Sequence, residues 1–187
     1  MTTAALTGGF ETPPLGSALA FRALLDVMAR PGTIRRIEGA APPAPLSRAA
    51  GAVLLTLCDP ETPVFLGGAH DRAEVRDWLA FHTGAPVVGA GHCAFALGTW
   101  PDLAPLSRYA VGTPDYPDRS ATLIVEMPAL AAGGVTLRGP GIRDTASLPL
   151  PDPAAFRANR ALFPLGLDFI FTCGDDIAAL PRSVEVL

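Results

Sequence analysis

The 187-residue chain contains no lysine; all 14 of its basic residues are arginine. That absence excludes a chemistry, because no Schiff base to pyridoxal phosphate or to a carbonyl substrate can form, and no P-loop lysine can reach a nucleotide phosphate. Cysteine is scarce. Cys58, Cys93 and Cys173 are an odd number without CxxC spacing, which suits buried reduced thiols and neither a disulfide framework nor a zinc site. His70, His82 and His92 share no i, i+4 spacing and no HExxH, so no metal centre is indicated, and no GxSxG elbow is present. Only 17% of residues are charged, the net charge is -4 and no basic stripe occurs, so nucleic acid is not an expected partner. No run approaches the ~18 apolar residues that cross a bilayer, and the first residues lack the basic and long apolar regions of a secretory signal. The expectation is a cytoplasmic protein without a membrane contact.

What is present is 49% hydrophobic sequence, enough for one compact domain over 1–187 with a sizeable core. SALAFRALLDVMARPG sets Phe21, Leu24, Leu25 and Met28 on one helical face, with Ser17 as N-cap and Pro31-Gly32 as stop. SRAAGAVLLTLC reads as a second helix capped by Ser47, with Ala49, Ala50, Val53, Leu54 and Leu57 on one face. DRAEVRDWLAFHTG reads as a third, opened by a capping box between Asp71 and Glu74 and ended by Gly84. TIRRI, PVFL, CAFALG, SATLIVEMP and GVTLRG read as short strands, and PAAFRANRALFP as a last helix. Helices alternating with strands predict an α/β layered domain. The loop over 98–120 is the main surface excursion, suited to a docking surface or to a lid.

Candidate sites are few. VVGAGHCA has the G-x-G-x-x-A order of a dinucleotide turn but lacks room for a strand before it and a helix after it. His82 lies near a helix C-terminus, where it can cap carbonyls or contact a ligand. LRGPGIRD sets Arg138 and Arg143 around a Gly-Pro-Gly turn that reads as a solvated turn or as an anion cradle. Arg22, His82, Arg138 and Arg143 are therefore the candidate anion-binding residues. In FPLGLDFIFTCGDDIAALPRS, pairing Cys173 with Ile177 across a Gly174-Asp175-Asp176 loop sets Asp168 opposite Arg182. An apolar strand cannot cheaply bury a lone carboxylate, so a structural ion pair between Asp168 and Arg182 is expected.

The segments FRALLDVMARPGTI, VLLTLCDPETPVFL, FHTGAP, SATLIVE, LRGPGI and FPLGLDFIFTCGDDIAALPR, in this order and over nearly the whole chain, closely resemble the PhnH family of bacterial carbon-phosphorus lyase subunits. The resemblance implies a noncatalytic subunit in organic phosphonate catabolism. Such a subunit assembles with PhnG, PhnI and PhnJ, and as an isolated chain it can form a homodimer. The complex makes ribose 1-methylphosphonate 5-triphosphate from ATP and methylphosphonate. An alternative is that the subunit itself contributes an Arg-lined anion site for nucleotide or phosphonate. The resemblance further implies a three-layer α/β/α domain similar to the pyridoxal-phosphate-dependent transferase fold, without the cofactor. The missing lysine agrees with that last point, since no internal aldimine can form. The family offers no catalytic motif that carries over to residues of this chain.

Overall fold

The computed structural model describes residues 6–187. Among these residues five α-helices, α1 (Pro13–Ala29), α2 (Arg48–Leu57), α3 (Ala73–Thr83), α4 (Trp100–Leu103) and α5 (Pro153–Arg160), accompany nine strands. A six-stranded sheet runs in the order β1 (Arg35–Arg36), β8 (Asp176–Leu180), β7 (Asp168–Cys173), β4 (Thr122–Glu126), β3 (Phe95–Thr99), β2 (Val64–Leu66). Strands β2, β3, β4 and β7 are parallel, while β8 and β1 continue the sheet antiparallel. A second, three-stranded sheet joins β6 (Ala146–Leu148), β5 (Val135–Arg138) and β9 (Glu185–Val186).

Both faces of the large sheet are covered, which is why its strands read as continuous apolar runs without alternation. Along β4 and β7, Ile124 and Ile170 face one core, while Leu123, Val125, Phe169 and Phe171 face the other. The first core is closed by α1, α2 and α3 through Leu24, Val27, Val53, Leu54, Trp78 and Leu79. Leu103 of α4, Phe156 of α5 and Leu137, Leu148 and Val186 of the small sheet close the second. The layering is thus α/β/α with an outer layer that mixes helices and a small sheet. Within it Trp100, Phe156 and Phe169 form a ring cluster, with centroids 4.8 Å apart from Trp100 to Phe156 and from Phe156 to Phe169.

Several sequence expectations change at this level. Helix α1 begins at Pro13 after Thr12, four residues before Ser17, because two prolines suit the first turn. Its buried face is Ala20, Leu24 and Val27, and Phe21 and Leu25 point to solvent. Helix α3 has no capping box: the cap position is Arg72, and Asp71 pairs with Arg76 instead. Ser47 caps α2 as expected, accepting from the Ala50 N–H at 3.0 Å, and Gly84 ends α3 with φ +71°. The G-x-G-x-x-A stretch is a short turn over Ala90–His92 ahead of β3, with no helix after it. Strands β6 and β9 and the short α4 have no counterpart in the sequence reading. Among the described residues, no helix is long and apolar enough to cross a membrane.

Asn159 of α5 is buried and ties that helix to the entry of β7, donating to the Leu167 carbonyl at 2.9 Å and accepting the Leu167 N–H at 2.8 Å. Asn159→Ala would strand both backbone groups away from water. A loss of about 2 kcal/mol or more of unfolding free energy is expected, read from chemical denaturation midpoints.

Candidate functional site

Outside the carboxyl ends of parallel strands, an open α/β sheet presents its loops and the ligands they hold. Strand register places Thr99, Glu126 and Thr172 in one row at this edge, across β3, β4 and β7. Glu126 ends the apolar run TLIVE, and both of its oxygens are engaged. Oε1 accepts the Ser47 N–H at 2.7 Å, and Oε2 accepts the hydroxyl of buried Thr172 at 2.9 Å. A carboxylate at the start of α2 offsets the positive end of that helix, so Glu126 fastens α2 to the sheet. Asp102, in α4 just beyond the end of β3, accepts the Thr99 hydroxyl at 2.6 Å. It lies against Gly68, which has φ +54° and where an added Cβ would fall 2.2 Å from Asp102 Oδ1, so this close approach requires glycine.

The β7–β8 turn supplies the third carboxylate. Asp175 accepts from Arg48 at 2.5 and 2.6 Å and from Arg36 at 2.9 Å, and the hydrogen bonds from Arg48 hold its carboxyl below the usual range. Beside the edge a cleft of about 660 Å³ is walled by Trp100, Met127 and prolines 128, 149 and 151. Its one charged lining residue is Glu126. An anion gains nothing from such a wall.

Two of the three thiols are poorly placed to act as nucleophiles. Burial pushes the Cys58 thiol up to about 12 and the Cys93 thiol up to about 11, away from the thiolate a nucleophile needs. The Cys93 thiol donates to the Ala90 carbonyl, and the ring of His82 lies 3.2 Å from the Thr7 carbonyl. His70 is buried, with Nδ1 unpartnered among the described residues. No group of three or more metal-ligating side chains occurs among the described residues.

The residues singled out in the sequence are dispersed. Arg22 is exposed on the outer side of α1, without a side-chain partner among the described residues. His82 and Trp78 of α3 both meet the Thr7 carbonyl, so His82 clamps the N-terminal segment and not its own helix end. Arg138 ends β5, Arg143 follows the next turn, and both are exposed. That turn packs on the end of α1, where Gly141 lies so close to the Ala29 carbonyl that a Cβ would collide with it. No hydrogen bond, ion pair or ring contact joins any two of these four side chains.

Asp168 and Arg182 do meet, by a different geometry from the expected one. Cys173 pairs with Asp176, so the loop has two residues and the register puts Pro181, not Arg182, opposite Asp168. Gly174 takes φ +59° at the first loop position, the place glycine holds in a type II′ turn. Arg182 follows the strand and turns back, giving Asp168 its backbone N–H at 2.8 Å and its guanidinium at 3.1 Å. The same guanidinium donates to the Pro117 carbonyl at 2.7 Å and to Ser120. The pair thereby anchors the end of the 98–120 loop, a role the sequence did not disclose. Glu126 and Asp102 were also missed. For Glu126 a signal existed, since it is an acid closing an apolar strand run and, like Asp168 opening one, needs a partner.

Asp168→Ala should lower stability by about 2–3 kcal/mol and speed proteolysis and amide exchange between Pro117 and Ser120. Unchanged protection of that loop would remove the anchoring role. In the native protein at pH 8, a thiol reagent should react quickly at half-buried Cys173 and slowly at Cys58 and Cys93, as peptide mass mapping would read. The thiols raised by folding add stability that is complete below their unfolded value of 9.0 and is lost as pH rises toward about 12. The lowered Asp71 and Asp175 act oppositely, adding stability above their unfolded value of 3.8 that is lost as pH falls through their folded values. Denaturation midpoints across pH check both limbs.

Comparison with known proteins gives this arrangement a context. The family described as bacterial phosphonate metabolism protein (PhnH) matches residues 8–187. The chain is 43% identical over 189 residues, covering 96% of this chain and 94% of the relative, to the alpha-D-ribose 1-methylphosphonate 5-triphosphate synthase subunit PhnH of Rhizobium meliloti (strain 1021). It is also 30% identical over 82 residues, 41% of this chain and 42% of the relative, to the putative C-P lyase subunit protein HtxG of Stutzerimonas stutzeri. With a match from the N-terminal segment to the last residue and a relative aligned over almost its full length, this chain belongs to the PhnH family of bacterial phosphonate metabolism proteins.

Proposed function

We propose that this chain is a noncatalytic subunit of an alpha-D-ribose 1-methylphosphonate 5-triphosphate synthase, acting in organic phosphonate catabolism and contributing to assembly of the complex. The observation that carries the reading is the near full-length similarity to a protein named as a subunit of that synthase. Its carboxyl-edge carboxylates are engaged in internal hydrogen bonds, and its buried thiols are held protonated. Such a chain stabilises a complex more readily than it breaks bonds. In this reading the partners are PhnG, PhnI and PhnJ. The three free cysteines agree with work in the reducing cytoplasm. The three-layer arrangement agrees with a single domain related to the pyridoxal-phosphate-dependent transferase fold, used without that cofactor.

Co-expression of PhnG, PhnI and PhnJ with and without this chain tests the role, read by size-exclusion light scattering and by release of adenine from ATP with methylphosphonate. The expected result is a complex that assembles poorly and releases little base when the chain is omitted. A complex of full size that forms without it, yet releases no base until the chain is added back, would overturn the noncatalytic reading.

A further inference from the structure

Helix α1 buries one face in the first core and carries large exposed apolar side chains around Arg22 on its outer side. Leu15, Leu19, Phe21 and Leu25 are 59%, 58%, 47% and 53% exposed, and all four lie away from buried Ala20, Leu24 and Val27. A helix facing only water normally carries polar residues there, and an exposed apolar stripe beside charges marks an interaction surface. Along the stripe runs a groove of about 780 Å³, walled by Leu19, Ala23, Leu25 and Ala29. Its charged groups are Arg22, Arg30, Arg35 and Asp26. Asp26 is already paired with Arg30 and Arg35, whereas Arg22 has no partner among the described residues. Three guanidiniums against one carboxylate leave the groove with an excess of positive charge.

We propose that the outer face of α1 seats an acidic amphipathic helix of another subunit, with apolar side chains over Leu15, Leu19 and Leu25 and a carboxylate on Arg22. This rests on the reading of the chain as a subunit of a larger assembly. Charge selects the occupant. A second copy of this chain packed on the same face would set each arginine cluster against its twin, with both Asp26 side chains already engaged. A small anion would find one free guanidinium in an open groove, and the apolar stripe would stay wet. A partner helix with carboxylates flanking its apolar face satisfies both features, and the 17-residue α1, about 25 Å long, offers it several turns of contact.

The test titrates fluorescently labelled chain into a mixture of PhnG, PhnI and PhnJ, with circular dichroism and thermal midpoints measured for each variant. Leu19→Asp/Leu25→Asp and Arg22→Glu alter exposed side chains and should keep wild-type folding while weakening binding at least tenfold. The loss with Arg22→Glu should shrink as salt rises, because it removes a rim charge. Leu162→Asp, at another exposed leucine after α5, should bind as wild type does. If wild type binds and the folded α1 variants bind equally well, the α1 assignment falls while the subunit reading stands. If wild type does not bind in the PhnG, PhnI and PhnJ mixture, both fall. A chain that dimerises alone in light scattering, and becomes monomeric with Leu19→Asp/Leu25→Asp, would overturn the assignment in favour of a second copy. Saturable binding of ATP lost in Arg22→Glu would overturn it in favour of a small anion.

Discussion

The burial of the central sheet on both faces is the constraint from which the other features follow. Parallel strands cannot be joined by tight hairpins, so their crossovers must lie over the sheet, and those crossovers cover both sides. Ile124 and Ile170 serve one core and Leu123, Val125, Phe169 and Phe171 serve the other, so no strand residue in the middle of the sheet is free to be polar. Polar side chains are confined to strand ends. Thr99, Glu126, Thr172 and Asp168 all stand there, and each is hydrogen-bonded.

That confinement explains what the polar residues do. A carboxylate at the end of a buried strand is stable only with partners, and in this molecule the partners are structural. Glu126 holds the start of α2 to the sheet, Asp168 with Arg182 holds the end of the 98–120 loop, and Asp175 binds Arg36 of β1 and Arg48 of α2 beside the β7–β8 turn. These ties come from residues far apart in the chain and fix how the outer layers sit on the sheet.

The surface shows the complementary property. Where the strand ends pair their polar groups, the outer side of α1 leaves four large apolar side chains in water, with an arginine-rich groove alongside. For an isolated protein such a surface is a liability, since it costs hydration and invites association. For a member of a family whose relatives are named as subunits it is an asset. The missing lysine fits the same surface, because arginine makes planar, two-pronged contacts with carboxylates that a lysine ammonium does not.

The sequence by itself determined whatever depends on neighbours along the chain. Periodicity located α1, α2, α3 and α5, Ser47 and Gly84 marked their boundaries, and apolar runs marked β3, β4, β7 and β8 as strands. It also required a partner for Asp168, because the cost of a lone buried carboxylate is local. Tertiary structure decided whatever depends on what packs against what. Which face of α1 is inside could not be read from a helix apolar nearly all round, and the two-residue turn at Gly174 shifted a register on which Arg182 then had to double back. The short β6 and β9 exist because β5 offers them edges to pair with, and Glu126 became a helix anchor only when α2, some 79 positions earlier, folded over its strand. Short-range preferences are written in residue order, whereas long-range partners are chosen by the shape of the core that the whole chain builds.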